Sequence, residues 1–456
     1  MERNASPGHA SSDNASSDNA SLGHASLGHA SPGHVSSDNA SSDNAPSDNA
    51  SLGHASPDNA SSRMTRVLLV PDLPLERWPS MDRYAHRLHD WLEGGDPGFE
   101  VRLAASIGDL TRDVGNGRSS GGYPRWWAQD IDPTKLVLPG PLHEPQRYVA
   151  RYFLYPWWLR REAKRAQLVH ILDHSYAHMV TRVHRRPAVV TVHDLMPVII
   201  LRSPTDGWRE GVRNRFLRGT LKALRLAGAY IVGTEWLKRE LATWLGDDRR
   251  ISVVPFGVDR AFFSESPNAR ARGRADWRIP DDAFVVLHVG STVERKNVPL
   301  VINTVARLRS EADAYLLQVG GRLSGDQEQL IERLGLRRCV RTVPFADEST
   351  LRRAYRAADV LLFPSLYEGF GYPVIEAFAS GLPVVTSGAG GLKEVGGDAV
   401  VVVEGRDPAA YVQALERLND DAMQREDLIE RGRARARTFT WQRTAEHTAE
   451  VYRSLL

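Results

Sequence analysis

From Arg66 onward the chain alternates short, nearly unbroken apolar runs with amphipathic stretches of helical length. In one half the runs are RVLLV (66–70), LVHIL (168–172), AVVTV (188–192), AYIVG (229–233) and ISVVP (251–255). In the other they are AFVVLHVG (283–290), AYLLQVG (314–320), DVLLFP (359–364), LPVVT (382–386) and AVVVV (399–403). A strand that is apolar along its whole length is covered on both faces. Strands of this kind separated by helices predict parallel sheets flanked by helices. The stretch 256–282, rich in Pro, Gly, Asp and Arg, divides the two series. The pattern predicts an α/β protein with two doubly wound, Rossmann-like domains at 63–258 and 280–438. A linker is expected at 259–279, and a final helix at 439–456 is expected to pack back toward the first domain.

The first 62 residues break this pattern. From Asn4 to Ser62 a five-residue unit of Asn or His, Ala, Ser and two variable positions repeats. Its apolar content is too low to offset chain entropy, so disorder is predicted over 1–62. His9, His24, His29, His34 and His54 fall within it with no fold to fix them around a metal. The Asn-Ala-Ser triplets at Asn4, Asn14, Asn19, Asn39, Asn49 and Asn59 match a glycosylation sequon, and are read as a by-product of the repeat. Setting the repeat aside changes the charge. The remaining chain carries 57 basic and 49 acidic residues, a net of +8, which suits an anionic ligand or membrane face.

The rest of the composition is ordinary for a globular protein, with 42% hydrophobic and 25% charged residues. The lone cysteine, Cys339, excludes an internal disulfide and opens an apolar run, so it is read as a buried thiol. No uncharged apolar run is long enough to span a bilayer and no secretory h-region is visible, so a cytoplasmic chain is expected.

Candidate chemistry gathers where strands end. After DVLLFP comes SLYEGFGYPVIEA, with Glu368 and Glu376 separated by two glycines and a proline. Pro373 fits a helix start, which places Glu376 one turn inside a helix and Glu368 on the loop before it. Gly369 and Gly371 permit close backbone approach to a ligand, and the helix start favours an anion. Glu376 would then reach ribose hydroxyls beside a diphosphate, and Glu368 would face the group transferred. Two other readings stand beside this one: Glu376 capping the first turn with Glu368 solvated, and a glycosidase acid pair. The glycine-rich strand-to-helix turn favours phosphate. In HVGSTVERKNVPLVI (288–302) a strand ends at Gly290, and Arg295 and Lys296 occupy the loop before the next helix. A guanidinium beside an ammonium suits a diphosphate leaving group without a metal; an exposed basic pair is the plainer alternative.

These residues resemble a known family. YEGFGYPVIEA is similar to the Glu-x7-Glu motif of retaining glycosyltransferases of family 4, which have the GT-B fold. GSTVERKN resembles their donor-phosphate loop, and VVPFGVD (253–259) the strand entering their interdomain linker. The resemblance covers about 64–456 and is strongest over 280–405. It implies a nucleotide-sugar donor in the C-terminal domain and an acceptor mainly in the N-terminal one. The nucleotide-sugar is a substrate, and neither cofactor nor metal is implied. Carried over by position, Arg295 and Lys296 bind diphosphate, Glu376 binds ribose and Glu368 faces the donor sugar. Gly290 ends the donor strand, and Gly369, Phe370 and Gly371 lend backbone contacts. Val343, Pro344 and Phe345 fall at the base pocket, in a segment that lacks the family's usual glycine. The donor loop leans toward GDP-mannose, with a UDP-sugar the other option.

In the first half, His193 and Asp194 follow AVVTV, where the family often has a histidine near the sugar. The structural alternative is a core histidine bonded to backbone. Asp173, His174 and Ser175 follow LVHIL and are expected on the acceptor side. After the first strand the family's glycine-rich loop is absent; Ser80 and Met81 stand there instead. The segment 147–166 combines Arg147, Arg151, Arg160, Arg161, Lys164 and Arg165 with aromatic residues. That suits peripheral contact with an anionic membrane and a lipid-linked acceptor, or equally a helix packing its aromatics inward. No nucleic-acid-binding module accompanies the basic residues. Asp130 to Asp132 imitate a metal motif of another glycosyltransferase fold, but in a loop of the wrong domain. The sequence therefore predicts a metal-independent retaining glycosyltransferase of cell-envelope glycan or glycolipid synthesis. A GT-B epimerase or phosphorylase, or an inactive sugar-nucleotide-binding scaffold, remains the alternative.

Overall fold

The computed structural model describes residues 64–456 except 74–75, 77, 96–97, 105–147, 184, 203–207, 265–267 and 311. The repeat over 1–62 and Asp130 to Asp132 lie outside the described residues. Among the described residues the strands of the first half are β1 (Thr65–Val70), β2 (Phe99–Leu103), β3 (Leu168–Ile171), β4 (Ala188–Val192), β5 (Ala229–Val232) and β6 (Ile251–Val253). Those of the second half are β7 (Phe284–Val289), β8 (Ala314–Val319), β9 (Val340–Val343), β10 (Val360–Phe363), β11 (Val384–Thr386) and β12 (Val400–Val402). They form two six-stranded sheets, in the orders β2-β1-β3-β4-β5-β6 and β12-β11-β10-β7-β8-β9. Neighbouring strands pair in parallel throughout. This is the two-domain doubly wound architecture that the apolar runs predict.

β3, β4, β5 and β10 are buried along their whole length, as their unbroken apolar sequences require. β2 and β9 are absent from the ten apolar runs because charged or polar residues interrupt both, which an edge position tolerates. Each is an edge strand; β2 alternates buried and exposed residues, and β9 has no fully buried one. Cys339 lies just before β9, buried, with its thiol donating to the Leu336 carbonyl at 3.2 Å.

Strand order reverses beside β1, which pairs with both β2 and β3, and beside β7, which pairs with both β8 and β10. Ligands of doubly wound sheets bind at the carboxyl ends of the strands flanking such a reversal. The loops leaving β1, β3, β7 and β10 carry Asp72, Asp173, Lys296 and Glu368 respectively. Topology alone thus places the candidates Asp173, Lys296 and Glu368, with Asp72, which the sequence reading did not single out, at the strand ends around the two reversals.

Two further segments connect the sheets. Beyond β6, the buried Phe256, Val258 and Phe262 lead toward the second sheet. The helix Ala269–Asp276 then packs through Arg274, which is fully buried and pairs with Asp359 at 2.7 Å. The chain returns through Phe439, whose carbonyl accepts from the Val258 amide at 3.0 Å. The closing helix, Trp441–Leu455, lies against the helix Pro79–Gly95 and the first sheet. Its Tyr452 hydroxyl meets His170 Nδ1 at 2.7 Å, and His170 Nε2 meets Thr191 at 2.7 Å. One apolar cluster runs from Val67 and Leu88 through Phe256 and Trp441 to Leu361 and Phe363.

Candidate active site

Gly290 follows β7, which ends at Val289, and the turn Glu294–Lys296 comes before the helix Val298–Leu308. The Arg295 carbonyl accepts from the Leu366 amide at 2.7 Å, which stitches this turn to the loop leaving β10. Both cations then converge on one carboxylate. Lys296 Nζ donates to Glu368 Oε1 at 2.5 Å, and Arg295 Nη1 lies 3.2 Å from the same oxygen. Lys296 is 7% exposed. Burial pulls its ammonium below the ordinary lysine range, although Glu368 opposes that shift. The plainer reading of Arg295 and Lys296 as an exposed basic pair does not describe this arrangement.

The loop around Glu368 is held by both domains. The Thr234 hydroxyl donates to the Gly369 carbonyl at 2.8 Å, and the Tyr367 hydroxyl accepts from the Leu195 amide at 3.0 Å. A Cβ on Gly369 would stand 1.9 Å from the His193 carbonyl oxygen, so only glycine fits. Sequence reasoning reserves that glycine for a ligand; here it admits the facing domain's backbone. Phe370 is buried against Phe256 at 4.9 Å between ring centroids, so its side chain serves the core. Gly371, at φ +99°, precedes the helix Tyr372–Ala379, whose start has no side-chain cap. Pro373 is its second residue rather than its first.

Glu376 lies inside that helix and is 3% exposed. The Tyr355 hydroxyl donates to its Oε2 at 2.8 Å, and Arg83 Nη1 lies 2.8 Å from its Oε1. Arg83 belongs to the helix Pro79–Gly95 of the first domain, at the position where a glycine-rich loop is absent. Sequence reasoning missed it, since 293 positions separate the two partners.

Across the cleft, β3 and β4 supply a second cluster. Asp173 caps the turn His174–Met179 by accepting from the Ser175 amide at 2.6 Å. His174 sits between two carboxylates, with Nδ1 3.2 Å from Asp173 and Nε2 3.4 Å from Asp194. Burial works against charging this ring, yet Asp173 and then Asp194 lift its pKa to about 10. Burial also opposes ionisation of Asp173 and Asp194, but His174 holds both carboxyls below their ordinary range. Asp72, on the loop after β1, is pushed the other way by burial and by Asp173. His193 Nε2 donates to the Leu172 carbonyl at 2.8 Å, and its ring packs on Tyr84 and Phe256. Burial keeps it neutral, which leaves Nδ1 with the lone pair. This is the backbone-bonded arrangement of the structural alternative, with the residue half-buried just after β4.

Val343 ends β9, Pro344 is half-buried, and Phe345 is 66% exposed beside Arg322. This leaves an aromatic face at the rim of the second sheet. Among the described residues, no group of three or more His, Cys, Asp or Glu has metal-holding geometry. No described helix is long and apolar enough to cross a membrane.

Comparison with known proteins agrees with this architecture. Residues 81–262 match the family described as Glycosyltransferase Family 4, and residues 269–435 match Glycosyl transferases group 1. A D-inositol 3-phosphate glycosyltransferase of Geodermatophilus obscurus is 32% identical over 68% of this chain and 67% of its own length. One from Thermomonospora curvata is 34% identical over 50% of this chain and 57% of its own. Among solved structures, Anabaena HepE with UDP and glucose superposes with a TM-score of 0.64 at 19% identity, covering 86% of this chain and all of that one (100%). WaaG, a glycosyltransferase of lipopolysaccharide biosynthesis, gives 0.59 at 20% identity, covering 84% of this chain and 99% of its own. With two six-stranded parallel sheets and both halves matched, the chain belongs to the family 4 glycosyltransferases and has their GT-B fold.

Proposed function

We propose that the chain transfers a sugar from a nucleotide-sugar to a hydroxyl acceptor, retaining anomeric configuration and using no divalent ion. The observation that carries this reading is the convergence of Arg295 and Lys296 on Glu368, opposite Asp194 and His174. A donor diphosphate would take over the two cations and the uncapped start of helix 372–379. Glu376 would hold the ribose, and the exposed Phe345 would stack on the base beside Val343 and Pro344. Displaced from its cations, Glu368 would orient the donor sugar. His193 Nδ1 would accept from a sugar hydroxyl, and Asp194 would orient the incoming acceptor. Negative charge grows on the leaving phosphate as the glycosidic bond breaks, and fixed cations lower the energy of that charge. Attack from the same face lets the acceptor's proton pass to the departing phosphate oxygen. Asp173, His174 and Ser175 would form the floor beneath the acceptor.

Solved neighbours carry UDP or UDP-glucose, which favours a uridine donor over the GDP-mannose suggested by the loop sequence. The relatives' names point to a phosphorylated polyol acceptor. A lipid-linked acceptor at an anionic membrane is supported by one observation. On the segment 149–165, Phe153 and Trp157 are 63% and 55% exposed, beside the exposed Arg160, Arg161, Lys164 and Arg165. Tyr155 and Leu159 of the same segment point inward, as a helix packing its aromatics inward requires, so only the exposed face supports the membrane reading. Incubation with UDP- and GDP-sugars, with inositol 3-phosphate or with lipid extract as acceptor, separates these readings by nucleotide release. Nucleotide binding without turnover on any acceptor would indicate a scaffold instead.

Transfer is expected to persist in excess EDTA, because Arg295, Lys296 and the helix start already oppose the diphosphate charge. Complete loss of activity with EDTA, restored by magnesium or manganese, would contradict the metal-free reading.

A further inference from the structure

Both oxygens of Glu376 are engaged, and their partners come from different domains. Tyr355 lies on the helix Glu348–Ala357, which packs on the same sheet as Glu376. Arg83 reaches across from the first domain, 2.8 Å from Oε1. It acts with Arg87, one turn further along, which pairs with Asp259 and lies 3.7 Å from Glu348. Tyr84, Leu88 and Leu92 bury the opposite face of that helix in the first domain. The two arginines therefore project from a firmly packed helix onto the second domain. The Arg83 guanidinium also lies 5.9 Å from the centre of the Phe262 ring.

We propose that Arg83 competes with the donor's ribose for Glu376, so that a residue of the facing domain sets nucleotide affinity. The inference rests on Glu376 being the ribose ligand. A ribose diol needs the cleft-facing oxygen of the carboxylate, and the guanidinium covers that oxygen. Tyr355 need not move, since a carboxylate accepts hydrogen bonds from several directions. Arg83 must leave, and opening of the cleft would carry it away with its own sheet. Donor binding then exchanges one charge-assisted contact for another, and the pair that the donor replaces is one of the contacts that hold the domains together in the free protein.

Calorimetric titration of the full chain with UDP and with GDP tests this. Affinity for the nucleotide that binds should rise in the order wild type, Arg83→Lys, Arg83→Gln. The glutamine variant should bind about three- to tenfold more tightly, the range of a partly buried ion pair removed from the competing state. In a Glu376→Gln background, replacing Arg83 should change nothing further. Unchanged or weaker binding by the Arg83 variants overturns the proposal, because Arg83 would then be a structural strut or a donor ligand. If Arg83→Gln does not fold, the lysine variant carries the same comparison. If Glu376→Gln alone leaves nucleotide affinity intact, the ribose assignment fails, and that result is distinct from the first.

Discussion

Replacing Arg295 and Lys296 together by alanine should abolish transfer and raise the UDP dissociation constant by at least about a hundredfold. Each cation offers a charge-assisted hydrogen bond worth about 1.5–3 kcal/mol, and about 2.7 kcal/mol already corresponds to a hundredfold. The geometry adds a second penalty. Glu368 is 7% exposed and accepts from both cations. Without them its buried charge would stand alone and repel a diphosphate. Part of the loss could come from the space left by the buried Lys296 side chain. The single variant Lys296→Met fills much of that space without the charge, and it should already lower nucleotide affinity by roughly tenfold. Wild-type affinity in the double variant, measured by calorimetry on protein with an unaltered melting temperature, would remove the diphosphate assignment.

The two glutamates should separate binding from turnover. Glu376→Gln is expected to weaken both UDP and intact donor by roughly ten- to a hundredfold, since the ribose loses a charged acceptor. Glu368→Gln should leave UDP affinity within about threefold of wild type, because the amide oxygen can still accept from Lys296. Turnover should fall by about a hundredfold in that variant, because the donor sugar loses its charged partner. Titration with UDP followed by initial-rate assays reads both quantities. Equal UDP affinities in the two variants, or the reverse pattern, would show that the roles are exchanged.

Whatever depended on runs of residues was legible in the sequence. Ten of the twelve strands among the described residues announced themselves because burial on both faces writes an uninterrupted apolar run. β2 and β9 did not, because an edge strand need not be apolar throughout. The places of the Glu294–Lys296 turn and the Glu368 loop were readable for a related reason: each lies within about ten residues of the strand that presents it. Partnerships across the chain left no such trace. Arg83 looks like any helical arginine, and nothing near it anticipates Glu376. The role of Gly369 was likewise hidden. Its glycine marks a close approach, but only the fold reveals that the approaching atom is the His193 carbonyl.

The helix Trp441–Leu455 gives the chain an order of assembly. Tyr452 and His170 are both buried and hydrogen-bonded, although 282 positions apart. During synthesis from the amino end, the first domain emerges complete in its strands but without this helix, and waits while the whole second domain is made. In that interval the apolar surface around Phe99 and the helix Pro79–Gly95 lacks its cover, which exposes the nascent chain to aggregation and to chaperones. A fragment ending near Val258 should therefore be poorly soluble, and a peptide spanning 441–455 supplied in trans should improve its recovery. A freely soluble, cooperatively melting fragment would show that the first domain matures without its last-made part.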